Sequence, residues 1–286
     1  MEKINFRTHD WENARKILDF FKQETTCLDS RGLLCAEPKY VVAMDDDMVS
    51  AFYAATIMSY AKRQFGKYPK LLCVGGTGML SKYMNKLDDG TFLSEGMKLR
   101  MTALKFDNFP VSVLDKGNNT GANLKEIIDY LASQHACDAP VVFCLTQRLS
   151  KRVERTVAFT TYQFPGTHPL NAYYYVPEER LEDMCQLYNG KAIADGLPLL
   201  SEVAALFDRV GLDRYAGRYM APFDKVVPKD VLLAGQQLLD KYPIRVSRTP
   251  LSAPLQFAKM YFGVLRHRKD IADDLEQKIV LWKRQY

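Results

Sequence analysis

Between Tyr40 and Val176, short apolar runs of strand length alternate with stretches of helical periodicity, and this alternation limits the fold more than any other feature. The runs Tyr40–Met44 (YVVAM), Lys70–Val74, Val111–Leu114, Val141–Leu145 and Tyr173–Val176 read as strands. Helical patterns fill the intervals, from Met48 to Gln64, Ser94 to Lys105, Thr120 to Gln134 and Lys151 to Thr161. Strands this apolar, each followed by a helix, predict an α/β fold: a Rossmann-like, mostly parallel sheet with helices on both faces. Ahead of it, Trp11, Ala14, Ile17, Leu18 and Phe21 recur at helical spacing behind Asp10, which is placed as an N-cap. After Pro177 the strand signal fades. Helical periodicity covers Glu178–Leu187, Leu199–Arg209, Lys229–Leu239, Leu251–Arg268 and Ile271–Gln285, interrupted by the loop-like 213–224. The expected organisation is a helical segment 1–36 packed on the core, an α/β ligand-binding domain 37–176 and a helical C-terminal subdomain 177–286.

Composition narrows the function classes. Apolar residues make up 47% of the chain, which supplies a packed core, yet no apolar run approaches a membrane span. The charged N-terminal stretch lacks a signal-peptide core, so the expected location is cytoplasmic. The net charge of +5 gathers near the C-terminus, at Arg245, Arg248, Arg266, Arg268, Lys269, Lys283 and Arg284, but Asp273, Asp274 and Glu276 break the stripe. A solvated helix face fits this pattern better than a nucleic-acid surface. The six cysteines show neither a paired C-x-x-C nor zinc-ligand spacing, so disulfides and a structural metal are not expected.

In open parallel sheets, ligands bind beyond the carboxyl ends of the strands, where strand order reverses. Four polar clusters fall there. Gly75-Gly76-Thr77-Gly78 follows LLCV, where glycines allow backbone N–H groups to approach an anion. Ser81 replaces the glycine that either a P-loop or a G-x-G-x-x-G fingerprint needs, so neither motif is complete. Ser94-Glu95 opens a helix: serine suits the cap, and the carboxylate is placed to accept hydrogen bonds from a ribose or an amine. Asn119, Thr120 and Asn123 start the helix after the third strand, with more amide and hydroxyl groups than capping requires. Thr146 follows the fourth strand, and Arg148, Arg152 and Arg155 share one helix face suited to a phosphate or carboxylate, or simply to solvent. Directly after the first strand, Asp45-Asp46-Asp47 offers carboxylates that cap a helix or, through Asp45 and Asp47, ligate a cation; no second ligand cluster supports a metal. With four histidines and no nucleophile elbow, any acid–base chemistry falls to carboxylates such as Glu95 or Asp45.

Taken in order, KLLCVGGTG, SEGM, VLDKGNNTGANLKEI and VVFCLTQRLSKRVERTVAF resemble the YdcF/SanA/ElyC family of bacterial α/β proteins over about half the chain, Tyr40 to Val176. DRYAGRYMAPFDKVVPKDV is similar to the Gly/Arg-rich stretch of the soluble YdcF type. The resemblance implies a Rossmann-like core with a helical second domain, and binding of S-adenosylmethionine or another adenine nucleotide with no established reaction. It carries over, as pocket residues, Gly75, Gly76, Ser94, Glu95, Asn119, Thr120, Asn123, Thr146 and Arg155, with Arg152 as the alternative to Arg155. The family commonly has glycine after the first strand, where this chain has Met44-Asp45-Asp46-Asp47. Three readings follow: a nucleotide-like ligand binder, a phosphate-processing or envelope-precursor enzyme using Glu95 or the aspartates with a metal, and a non-catalytic protein whose helical half forms a homodimer or partner surface.

Overall fold

The computed structural model describes residues 6–23, 37–44, 49–77, 93–163, 170–178, 181, 197–212 and 226–242. The predicted loop 213–224, the helical segments 251–268 and 271–285, nearly all of 178–187, and both Gly78 and Asp45–Asp47 lie outside the described residues.

Five strands, β1 (Tyr40–Met44), β2 (Lys70–Val74), β3 (Val111–Leu114), β4 (Val141–Cys144) and β5 (Ala172–Tyr175), form one sheet in the order β3-β2-β1-β4-β5. Every pairing is parallel, with Tyr40 opposite both Lys70 and Val141. The first three strands step outward one way; the chain then crosses back and lays β4 on the other side of β1. The order therefore reverses between β1 and β4, which is where a crevice opens in sheets of this kind.

Handedness decides which helix covers which face. α2 (Val49–Phe65) and α3 (Glu95–Ala103) cover one face, where Ala54, Met58 and Leu99 pack on Val41, Ala43 and Cys73. α4 (Thr120–Ser133) and α5 (Gln147–Gln163) cover the other, where Leu124, Ile127 and Val153 meet Val42, Leu72 and Phe143. Because both faces are covered, β4 is buried at every position and β1 and β2 at all but their first. This is the physical reason those strands read as unbroken apolar runs instead of alternating ones.

A third core forms away from the sheet. α1 (His9–Gln23) packs with α6 (Leu197–Leu206), the π-helical turn Phe207–Gly211 that continues it, and α7 (Lys229–Lys241). Ile17, Phe21, Val203, Phe207 and Leu238 are fully buried there. This cluster lies against α5, so α5 has the sheet on one side and the helices on the other. The N-terminal helix thus joins the C-terminal helices in a single core.

Asp10 was expected to cap α1, but the helix starts one residue earlier and the Thr8 carbonyl receives the Trp11 and Glu12 amides. Asp10 instead takes hydrogen bonds from Lys241 Nζ at 2.5 Å and the Tyr242 hydroxyl at 2.6 Å, across the helix pair. Burial pushes the Asp10 carboxyl up, but these two bonds outweigh it and hold it below its ordinary value of 3.8. A carboxyl lowered by folding adds stability that is complete above its unfolded value and drains away as pH falls through the native one. Urea midpoints measured from roughly pH 6 to pH 2 are therefore expected to fall less steeply in Asp10→Asn than in the wild type; identical pH profiles would show that the clamp carries no stability.

Candidate functional site

At the carboxyl end of β2, the chain turns through Gly75 and Gly76 into contact with the loop that follows β3. The Gly75 amide donates to the Leu114 carbonyl at 2.8 Å and the Gly76 amide to the Gly117 carbonyl at 2.6 Å. Gly75 has φ +139°, a conformation L side chains rarely adopt, and a Cβ there would lie 2.8 Å from both Cβ and Oε2 of Glu95. A Cβ on Gly76 would fall on the Gly117 carbonyl oxygen and within 2.5 Å of the Asp115 one. Glycine is required at Gly75 by its positive φ and the Glu95 side chain packed on it, and at Gly76 because backbone meets backbone there. Thr77 follows, half-buried.

The start of α3 closes onto the same turn. Glu95 and Gly96 donate their amides to the Gly76 and Gly75 carbonyls at 3.2 and 2.7 Å. Ser94, in extended conformation, caps the helix as the sequence predicts: its Oγ accepts the Met97 amide at 3.2 Å and donates to Asp115 Oδ2 at 3.4 Å. The Glu95 carboxylate is left beside Gly75, half-buried. Asn119 caps α4 by accepting the Ala122 amide at 3.0 Å, with Thr120 partly buried in the first turn. One turn on, Asn123 is buried, and its Oδ1 has no hydrogen-bond partner; it sits where a Cβ on Gly117 would have to go.

Two groups in this corner escaped the sequence reading. Asp115 is an exposed carboxylate bonded to Ser94. Glu126 reaches back from the second turn of α4 to accept the Lys116 and Gly117 amides, each at 3.0 Å. Its spacing matches no capping template, so only the folded loop reveals the role.

On the far side of β1, the Thr146 carbonyl accepts the Leu149 and Ser150 amides, so α5 begins at Gln147, four residues before the predicted Lys151. Thr146, Gln147, Arg148, Ser150, Lys151 and Arg155 are all buried, because α5 is covered on two sides. Arg148 therefore sits in the first turn, next to the β1/β4 switch. Lys151 pairs with Glu154 at 2.6 Å. Arg155, carried over as a pocket residue, donates from Nη1 to the Val210 carbonyl in the π-helical turn at 2.9 Å, which ties it to the helical core. Arg152 is half-buried.

The structure thus gathers Gly75, Gly76, Ser94, Glu95 and the Asn119–Asn123 segment at the ends of β2 and β3, with Thr146 and Arg148 across β1 at the end of β4. Cysteine chemistry has no place there: burial pushes the Cys73 thiol up to about 12, and that of Cys144 up as well, so neither supplies a thiolate. Among the described residues no group of three His, Cys, Asp or Glu side chains is placed to hold a metal ion, and none of the helices is long and apolar enough to cross a membrane.

Gly76→Ala is expected to lower unfolding stability by about 1–3 kcal/mol, since the methyl group meets fixed carbonyls. A wild-type denaturation midpoint would refute the close approach. Arg155→Met is expected to cost about 1.5–3 kcal/mol by stranding the buried Val210 carbonyl, read as a lowered Tm; a change in ligand affinity at unaltered Tm would return Arg155 to the pocket. Compared with known proteins, the chain matches no family model and no curated protein.

Proposed function

We propose that this protein binds a small nucleotide-like ligand, S-adenosylmethionine or another adenine nucleotide, at the carboxyl ends of its strands, in the manner of the soluble YdcF type its motifs resemble. The observation that carries this reading is topological. The sheet order β3-β2-β1-β4-β5 sets a switch point between β1 and β4, and the polar clusters line up along that same edge of the sheet. Helices cover both faces of the sheet, so the strand ends are where polar side chains and backbone turns are offered together.

In this reading the parts divide the work. The Gly75–Gly76 turn sets the floor, the Glu95 carboxylate and the Asn119–Asn123 segment contact one end of the ligand, and Thr146 with the first turn of α5, bearing Arg148, contacts the other. An anionic group at α5 gains from both the guanidinium and the helix start. The phosphate-processing reading would draw on the same arginine. The closed amides at the glycine turn weigh toward the ligand-binding reading over that one, because a transferred phosphoryl group needs donors around it.

Calorimetric titration with S-adenosylmethionine, S-adenosylhomocysteine, AMP and ATP tests the proposal. The expected outcome is saturable binding by at least one of them, weakened about tenfold or more by Arg148→Ala and by Glu95→Gln. Absence of heat and of any thermal shift with all four would remove the adenine-nucleotide reading.

A further inference from the structure

α3 lacks the polar outer face that a helix on a protein surface ordinarily shows to water. Gly96, Leu99, Thr102 and Ala103 are buried, with Leu99 and Ala103 in the core against the sheet. The opposite stripe, at spacings of four and three, is Met97, Met101 and Leu104, all half-buried. Just past the helix, Phe106 is 51% exposed. It meets Phe52 of α2, 48% exposed, edge to face with ring centroids 5.1 Å apart. This pair bridges the outer surfaces of the two helices. Single exposed apolar side chains are ordinary. An exposed aromatic pair continued along α3 by two methionines and a leucine is a patch, and apolar patches with a polar rim mark interaction surfaces.

The charge around the patch has one sign. Over the described residues 49–65 and 93–106, five side chains are basic (Lys62, Arg63, Lys98, Arg100 and Lys105) and one is acidic, Glu95, in the first turn of α3. Phe52, Thr56 and Arg63 are all exposed and lie on one stripe of α2. Arg100 and Lys98 flank the methionine stripe of α3, and Lys105 adjoins Phe106. The nearest further carboxylate, Asp107, accepts the Tyr68 hydroxyl and feels the Lys62 charge. Methionine adapts its shape to a partner, and phenylalanine, methionine and arginine are the side chains that interfaces favour.

We infer that the outer surface of α2 and α3 docks an acidic, amphipathic helix of another protein. Its apolar side lies on Phe52, Phe106, Met97 and Met101, and its carboxylates face Arg63 and Arg100. Charge selects this occupant over the others. A second copy in a two-fold interface would bring the same patch against itself, cation on cation. The chain's own C-terminal stretch is basic, with Arg245, Arg248, Arg266, Arg268 and Lys269, and would be repelled. Relief selects a helix over an anionic bilayer: two phenylalanines stand out while Met97, Met101 and Leu104 are recessed, which suits a ridge laid along the helix pair. The surface is independent of any ligand at the strand ends.

The test is fluorescence anisotropy of the full chain with two labelled, helix-stapled peptides of about 18 residues. Both carry leucine along one face; the other face is glutamate in one peptide and lysine in its twin. The glutamate-faced peptide is expected to bind saturably, about tenfold or more tighter than the twin. Phe106→Ser is expected to weaken it about tenfold at unaltered Tm, since the ring is half in water. Phe52→Ser is the second variant should Phe106→Ser lower the Tm. Arg63→Glu combined with Arg100→Glu is expected to reverse the preference between the two peptides. Equal affinity for both peptides, binding by neither, or binding indifferent to both serine variants overturns the inference. A wild-type dimer in sedimentation equilibrium that Phe106→Ser dissociates assigns the patch to a second copy instead. Sedimentation with phosphatidylserine-containing vesicles that Phe106→Ser abolishes, without a peptide preference, assigns it to a lipid surface, and either result overturns the helix.

Discussion

The carboxyl ends of β2 and β3 depend on one exchange of backbone hydrogen bonds, in which Gly75 and Gly76 give their amides to the loop after β3 and their carbonyls to the start of α3. Two strand ends and a helix N-terminus are joined through two residues that must lack side chains. The turn is therefore a joint first. It also fixes where Ser94 and Glu95 stand, because the amides of Glu95 and Gly96 are held by the Gly76 and Gly75 carbonyls. A glycine cluster at a strand end is commonly associated with anion binding. Here the Gly75 and Gly76 amides are bonded to the loop after β3, so these two offer an anion no donor.

α5 plays the corresponding part on the other side of β1. Val153 and Val157 face the sheet, and Arg155 reaches the π-helical turn of the second core. A π-helical turn leaves its carbonyls out of the ordinary i→i−4 ladder, and Arg155 supplies the donor that the Val210 carbonyl would lack. The same helix begins at the switch point and carries Arg148 there. One element thus connects the candidate site to the helical core, through side chains on successive turns.

Much of this was legible in the sequence, for physical reasons that also explain the gaps. The strands were readable because two covered faces force continuous apolar runs, as in Val141–Cys144. Ser94 and Asn119 were readable as caps because capping uses a local side-chain oxygen. The start of α5 was not. Gln147, Arg148, Ser150 and Lys151 are buried despite their polarity, so the apolar period that marks a helix is missing over its first turn. Arg155 was placed in the pocket by position along the chain, and its bond to a residue 55 positions later has no sequence signature. Glu126 escaped the sequence reading and Asp10 reads there as a cap for the same reason: each bonds groups that only the fold brings near, the Lys116 and Gly117 amides and the Lys241 and Tyr242 side chains. The candidate site was found at the level of which loops meet, and the direction of its hydrogen bonds was not.

The pairing of α1 with α7 has a consequence for how the chain acquires its fold. Asp10 and Lys241 are 231 residues apart in sequence, and the core they close contains Trp11, Ile17 and Phe21 from one end and Leu238 from the other. During synthesis at about 5–20 residues per second, the apolar face of α1 waits on the order of 10–50 s for its partners. The sheet, whose strands lie between residues 40 and 175, can assemble in that interval. Among the described elements the helical core thus closes after the sheet, and α1 is the one with the longest exposure to chaperones or to misassociation on the way.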